Sequence, residues 1–182
     1  MSDVGYTQQE PSDTASDYNT DVFVIEQIIG KLRTCSIVKV LAVTNNGGVS
    51  PVGSVDVQPM INYVDGIGNA APHGTIFGLP YFRLQGGTTA IIIDPKINDI
   101  GIVVISDRDI SAVKNTQSIS NPGSAREFDL ADGIYIGGIL NGIPVQYIQF
   151  DSLGNLNITV TAAVNIVAPG GLTVNGTPVT VP

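Results

Sequence analysis

The clearest pattern in the chain is an alternation of apolar and polar residues near its C-terminal end. From residue 156 to residue 168, an aliphatic side chain occupies every second position, and mostly asparagine and threonine stand between them. A period of two predicts a β-strand with one buried face. The pattern is interrupted at Pro169-Gly170-Gly171 and resumes briefly with Leu172 and Val174.

Strands of this kind need partners outside their own chain. Isolated hairpins are marginally stable, and bare strand edges promote aggregation. We therefore expect three identical chains to wind around one axis, with the aliphatic side chains inside and asparagine and threonine outside. The residues predicted to form this trimer core are Leu156, Ile158, Val160, Val164, Ile166, Leu172 and Val174.

A different periodicity occurs near the N-terminus. Apolar residues between 22 and 33 recur at helical spacing, namely Val22, Ile25, Ile28, Ile29 and Leu32. This spacing predicts a short amphipathic helix over residues 22–33, with Asp21 as its N-cap.

The middle of the chain carries several short strand patterns separated by turns. They lie at residues 34–43, 55–63, 78–84, 88–93 and 101–106. Five short strands within about 75 residues are typical of a small closed or nearly closed barrel. We therefore predict an all-β protein with a barrel over residues 34–110, a connector over 111–145 and a trimeric needle over 146–182.

Charge is unevenly distributed along the chain. Eight basic residues stand against sixteen acidic ones, giving a net charge of −8, and all eight bases lie between residues 22 and 132. Residues 1–21 contain five acids and no base, which predicts a flexible acidic arm. Residues 133–182 contain a single charged residue, Asp151. We expect this last stretch either to be covered by other copies of itself or to act in contact with something apolar.

Composition narrows the possible chemistry. The acidic balance counts against nucleic-acid binding, because that affinity comes largely from Lys and Arg. One cysteine excludes an internal disulfide and a cysteine-built zinc site. We expect Cys35 to be a small buried apolar residue and His73 to be an exposed loop residue. The sequence lacks a nucleophile elbow to accompany His73, so we expect neither an enzyme nor a cofactor.

Two motif-like stretches have plainer interpretations. Residues 66–71 match the G-x-G-x-x-A pattern of dinucleotide binding, which requires a following helix. Pro72 would break that helix, so we predict a loop. Asp107-Arg108-Asp109 could present two carboxylates to a cation, but a structural ion pair at the barrel end is the favoured interpretation. We also expect neither a membrane-spanning segment nor a secretory signal.

Several of these segments together resemble a known family. They are residues 55–63 (VDVQPMINY), 94–111 (DPKINDIGIVVISDRDIS), 126–136 (REFDLADGIYI) and 168–176 (APGGLTVNG). They are similar to the central spike proteins of contractile tails, the baseplate assembly protein V type of tailed phages. The resemblance covers roughly residues 22–182.

The resemblance implies a fold and a mechanical role. The fold would be an OB-like Greek-key barrel with a short N-terminal helix, followed by an intertwined triple-stranded β-helix. The homotrimer would dock to the tail hub in the virion, and sheath contraction would drive it through the host outer membrane. Val179, Val181 and Pro182 would form the membrane-entering tip, with room for a separate tip protein. Many members end in a His-x-His motif that binds iron, which this chain lacks.

Two alternatives stay open at this point. One is a trimeric fibre-like module that recognises a glycan or another virion protein, with Tyr63, Tyr81 and Phe82 as candidate contact residues. The other keeps the spike but assigns it to a related secretion or bacteriocin-like particle.

Overall fold

The computed structural model of the chain describes residues 11–30, 32–65, 67–174 and 177–178. The chain divides into two compact units, the first ending at Asn141 and the second beginning at Gly142. Both units are built mainly from β-strands, as the sequence predicts.

Helix α1 spans Asp17–Ile29 and follows a 3-10 turn over Pro11–Thr14. It therefore begins before residue 22, and Ser16 is its N-cap instead of Asp21. The Ser16 hydroxyl accepts a hydrogen bond from the Asn19 backbone N–H at 3.2 Å. The Asn19 and Thr20 side chains donate to backbone carbonyls of the 3-10 turn. Residues 11–14 and 17–21, predicted to be part of a flexible arm, are thus helical, and the cap and the two side chains connect the turn to the helix.

The first unit is organised around a curled antiparallel sheet of five strands. These are β1 (Cys35–Val43), β2 (Ser54–Pro59), β5 (Ile76–Pro80), β8 (Ile100–Ile105) and β9 (Gly133–Gly137). Their order across the sheet is β5-β2-β1-β8-β9. The outer strands approach each other just beyond β5, where Tyr81 and Tyr135 form a parallel bridge and the Phe82 N–H donates to the Tyr135 carbonyl at 2.8 Å.

Two short hairpins and a second helix complete this unit. The hairpins are β3 (Tyr63–Val64) with β4 (Ala70–Ala71), and β6 (Leu84–Gly86) with β7 (Thr89–Ile91). Helix α2 covers Ser111–Thr116, and a 3-10 turn at Leu130–Asp132 precedes β9. The sheet therefore extends beyond residue 110, where the sequence interpretation ended the barrel, because β9 pairs with β8 across the intervening loop.

The core of the first unit lies inside the curled sheet. It contains Val38, Val40, Val55, Val57, Ile76, Leu79, Tyr81, Val103, Ile105 and Tyr135. The ring of Tyr135 packs over Gly101, where an added Cβ would lie only 2.5 Å from it. Cys35 is exposed, so the prediction that it is buried was wrong. In β1 the buried residues Val38 and Val40 share one face of the strand, and Cys35 has the opposite parity.

The second unit contains two small hairpins. Strands β10 (Tyr147–Phe150) and β11 (Leu156–Thr159) form one of them, and β12 (Thr173–Val174) pairs with β13 (Thr177–Pro178) in the other. The alternating sequence from residue 156 is a regular strand only as far as Thr159. Residues 160–168 belong to no strand of the single chain.

Candidate functional site

The β10–β11 hairpin has one apolar face and one polar face. Its register pairs Ile148 with Ile158 and Phe150 with Leu156. Because side chains on a strand alternate between its two faces, these four lie on the same side, which we call the hairpin face. The alternate pairs, Tyr147 with Thr159 and Gln149 with Asn157, lie on the other side.

The hairpin face is not covered by its own chain. Ile148, Phe150, Leu156 and Ile158 are 67, 81, 54 and 54% exposed. From residue 142 to residue 173, every side chain is exposed except that of Asp151, which is half-buried. The described part of the second unit therefore contains no apolar core, although its sequence is rich in aliphatic residues.

Ile148 and Phe150 were not among the residues that the sequence analysis selected. The run Tyr147-Ile148-Gln149-Phe150 alternates like the strand after it, and a turn signal separates the two. That combination could have identified β10 as the hairpin partner of β11.

The predicted trimer-core residues all belong to the second unit but differ in setting. Leu156 and Ile158 lie on the hairpin face, while Val160, Val164, Ile166 and Leu172 are exposed outside regular strands. The backbone of Val174 is in β12, and its side chain is not described. The predicted tip residues Val179, Val181 and Pro182 lie outside the described residues.

The carboxylate of Asp151 is used to form the turn of this hairpin. Its Oδ1 accepts hydrogen bonds from the backbone N–H groups of Leu153 at 2.9 Å and Asn155 at 2.8 Å. Its Oδ2 accepts from the side-chain amides of Asn155 and Asn157. These bonds, first the one from the Asn155 side chain, lower the pKa of Asp151 below its usual value. The single charge of residues 133–182 is therefore held inside the turn.

The same turn occurs a second time in the chain. Asp65-Gly66-Ile67-Gly68-Asn69 has the same D-x-(I/L)-G-N pattern as residues 151–155. Asp65 Oδ1 accepts from the N–H groups of Ile67 at 3.0 Å and Asn69 at 2.8 Å. Gly68 and Gly154 have φ values of 89° and 85°, which favour glycine. Within the dinucleotide-like stretch, residues 67–69 lie in the turn between β3 and β4 and residues 70–71 form β4, so the described part of it opens no helix.

A shallow apolar cavity adjoins the hairpin face. It has a volume of about 470 Å³ and is lined by Ile143, Pro144, Tyr147, Ile148 and Gln149. Apart from the Gln149 amide and the Tyr147 hydroxyl, its side chains carry no polar group, so its chemistry suits an apolar side chain.

The first unit contains a buried ion pair that joins distant loops. Arg83 Nη2 lies 2.7 Å from Asp94 Oδ1, and both side chains are only 3% exposed. The Tyr81 hydroxyl also donates to Asp94 Oδ1, and the Gly47 N–H donates to Oδ2. Arg83 Nη1 donates to the Ser50 carbonyl at 2.6 Å. Burial opposes ionisation of Asp94, but the hydrogen bonds from Tyr81 and Arg83 outweigh it and lower its pKa.

A second polar cluster connects the β8–β9 loop. Arg126 donates two hydrogen bonds to the buried carboxylate of Asp132, from Nε at 2.7 Å and from Nη2 at 2.8 Å. It also lies 3.2 Å from Asp109, which accepts from the Ser124 hydroxyl. Hydrogen bonds from Ser111 and Ser124 and the charge of Arg126 lower the pKa of Asp109. The predicted ion pair within Asp107-Arg108-Asp109 was therefore wrong in its partners, because Asp109 pairs with Arg126 and Arg108 pairs with Glu127.

His73 is half-buried and not fully exposed as expected. Its ring stacks on Tyr63 with centroids 3.8 Å apart, and the Tyr63 hydroxyl accepts a hydrogen bond from Arg33 at 2.6 Å. Burial and the nearby Arg33 charge lower the pKa of His73. Within the described residues, no three His, Cys, Asp or Glu side chains are grouped to hold a metal ion.

Comparison of the sequence with protein-family models gives no match, and comparison with curated proteins gives none either. Neither helix of the described residues is long and apolar enough to cross a membrane. Functional inference therefore depends on the site itself.

Proposed function

We propose that this chain is the structural central spike of a contractile injection machine, of the phage tail baseplate type. In this proposal it acts as a homotrimer that docks to a tail hub and pierces the host outer membrane when the sheath contracts. The observation that carries the proposal is the exposed hairpin face in a unit whose described residues have no core.

Association of three copies would supply the missing core. Fully burying an aliphatic or aromatic side chain stabilises by about 1.5–3 kcal/mol. The four residues of the hairpin face are between half and four-fifths exposed, so covering them would contribute roughly 4–8 kcal/mol per chain. Intertwined copies would also pair residues 160–168, whose alternating pattern has no strand partner within the single chain.

The distribution of charge supports a role in which the last third of the chain enters an apolar medium. A charged side chain at the centre of a bilayer costs about 3 kcal/mol. Residues 133–182 contain only Asp151 as a charged residue, and its carboxylate is hydrogen-bonded within the turn. A needle made of this segment would therefore bring little charge into a membrane. No catalytic group is needed for this role.

The topology of the first unit supports the OB-like part of the proposal. Among the five strands of this sheet, β1, β2, β5 and β8 come first along the chain, and β8 lies beside β1 in the sheet. A fourth strand that returns beside the first defines a Greek key. The bridge between Tyr81 and Tyr135 brings the two outer strands together, and five strands in a partly open barrel are the OB arrangement.

The molar mass of the full chain in solution tests the trimer. Size-exclusion chromatography with light scattering should give three times the chain mass of 19.0 kDa. A stable monomer at micromolar concentration would contradict the proposal. Negative-stain images of the purified trimer should show one tapered end.

The rival binding-module function has less support from the aromatic residues. Tyr81 is buried and hydrogen-bonded to Asp94, and Tyr63 stacks on His73. Of the three candidates, Phe82 alone has a largely exposed ring without a polar partner, and it is 59% exposed. Antibodies raised against residues 142–182 separate the two functions on intact particles. They should fail to bind before contraction if the chain is a central spike, and they should bind freely if it is a receptor-binding fibre.

A further inference from the structure

Helix α1 carries an unpartnered apolar seam with heptad spacing. Tyr18, Val22, Ile25 and Ile29 follow one another at intervals of four, three and four residues, and Leu32 continues the spacing just beyond the helix. A sustained 3.5-residue period is the pattern of helices that pack along one another. The helix contains no buried residue; Tyr18, Ile25 and Ile29 are 75, 54 and 58% exposed, and Val22 is half-buried.

We infer that the seams of three α1 helices pack together as a short parallel coiled coil within the proposed homotrimer. This inference rests on the proposed function for the number of copies. In heptad terms, Val22 and Ile29 occupy a positions, and Tyr18 and Ile25 occupy d positions. Isoleucine at both a and d favours three or four strands over two, which agrees with a trimer.

The area of the seam indicates that it adds to a larger interface. A half-exposed aliphatic side chain offers on the order of 80 Å² of apolar surface, so the seam offers on the order of 300–400 Å² per helix. A stable interface buries about 800 Å² per partner. The seam is therefore too small to hold copies together alone. Once the hairpin faces have associated, the three helices are present at a high effective concentration, and a small seam is then sufficient for them to pack.

The flanking charges limit the strength of the coil. Asp21 occupies a g position and Glu26 the facing e position of the next heptad, so two acids from neighbouring helices would meet. Neighbouring like charges weaken helix packing modestly. This repulsion is consistent with helices that pack together only in an assembled trimer. Replacing Glu26 by lysine should remove the repulsion and strengthen the coil.

Disulfide cross-linking of the full chain tests the inference. In a Cys35→Ser background, Ile25→Cys places a thiol in the seam, and Val24→Cys places one at an exposed c position outside the seam. Mild oxidation should cross-link the Ile25→Cys chains rapidly into covalent pairs, which can include two of the three chains. The Val24→Cys protein should give few cross-links. A third protein combines Ile25→Cys with Glu26→Lys, which places a lysine opposite Asp21 of the neighbour and should cross-link faster.

The outcomes separate the inference from the proposed function, because each sample is also examined by light scattering. A trimer in which Ile25→Cys cross-links no better than Val24→Cys overturns the coil and leaves the spike proposal intact. Slower cross-linking after Glu26→Lys also contradicts the coil. A monomer overturns the proposed function, and the coil with it.

Discussion

At the scale of single residues, two buried carboxylates hold distant segments of the first unit together. Asp94 joins residues 47, 81 and 83, and Asp132 holds Arg126 and the Ile110 N–H. Each has basic and neutral donors around it, so the charge is compensated inside the protein. These contacts position loops and require no ligand to explain them.

Removing the Asp94 carboxylate should therefore destabilise the first unit. Asp94→Ala leaves the Arg83 guanidinium buried without its partner, and breaking such a pair costs about 3 kcal/mol or more. Thermal unfolding at fixed protein concentration should show a clear fall in Tm. The matched control is Glu127→Ala, which breaks the exposed Arg108–Glu127 pair and should change Tm little. Equal effects of the two variants would contradict the structural role of Asp94.

At the scale of elements, the β10–β11 hairpin combines two kinds of information. Its turn is specified locally by Asp151, Gly154 and Asn155, and its apolar face is specified by the alternation of the strands. The turn between β3 and β4 uses the same residues at the same spacing. The same turn pattern therefore closes a hairpin in each of the two units.

A charge on the hairpin face should prevent assembly. Ile158→Asp would bring three carboxylates together in the proposed trimer core, where an unpaired charge is strongly unfavourable. We expect a monomer by light scattering. The control is Thr159→Asp, which carries the same charge on the neighbouring residue of the opposite face and should remain trimeric. A trimeric Ile158→Asp protein would show that this face does not point inward.

Acid should weaken the same hairpin through its turn. The pKa of Asp151 is lower in the folded chain than its ordinary 3.8, so folding favours the ionised form. The stabilisation is present above pH 3.8 and is lost as the pH falls below that value through the folded pKa. Asp151→Asn should flatten the acid dependence of trimer dissociation. Asp65→Asn, in the equivalent turn of the first unit, should leave it unchanged.

At the scale of the whole molecule, the two units differ in how they bury apolar residues. The first encloses its own core around Val38, Val57 and Val103, whereas every described apolar side chain of the second unit is exposed. Stability of the first unit should depend mainly on its own packing. Stability of the second should depend on the concentration of copies.

A chain ending at Asn141 tests whether the first unit folds without the second and whether assembly requires the second. It keeps the five-stranded sheet and the Asn141 amide oxygen that accepts from the Ile100 N–H, so we expect it to fold with the β-rich circular dichroism of the parent. It should be monomeric at micromolar concentration, because the α1 seam alone offers too little area. A trimer would place the main interface in the first unit and contradict the proposed needle.

Features that depend on close neighbours along the chain could be predicted from the order of the amino acids. The alternation predicted the apolar face containing Leu156 and Ile158, because residues two apart share a face of any strand. Helical spacing predicted α1, although its first residue depends on hydrogen bonds from Asn19 and Thr20 to the preceding turn. The charge distribution needed no structure to identify the nearly uncharged last third.

Features that join distant residues became apparent only in the folded chain. The place of β9 beside β8, the pairing of Arg83 with Asp94 and the exposure of Cys35 follow from contacts across long stretches of chain. A local pattern contains no information about which distant segment will lie alongside it. For the same reason, the sequence predicted an apolar face in the last third, and only the folded chain showed that nothing in its described residues covers that face.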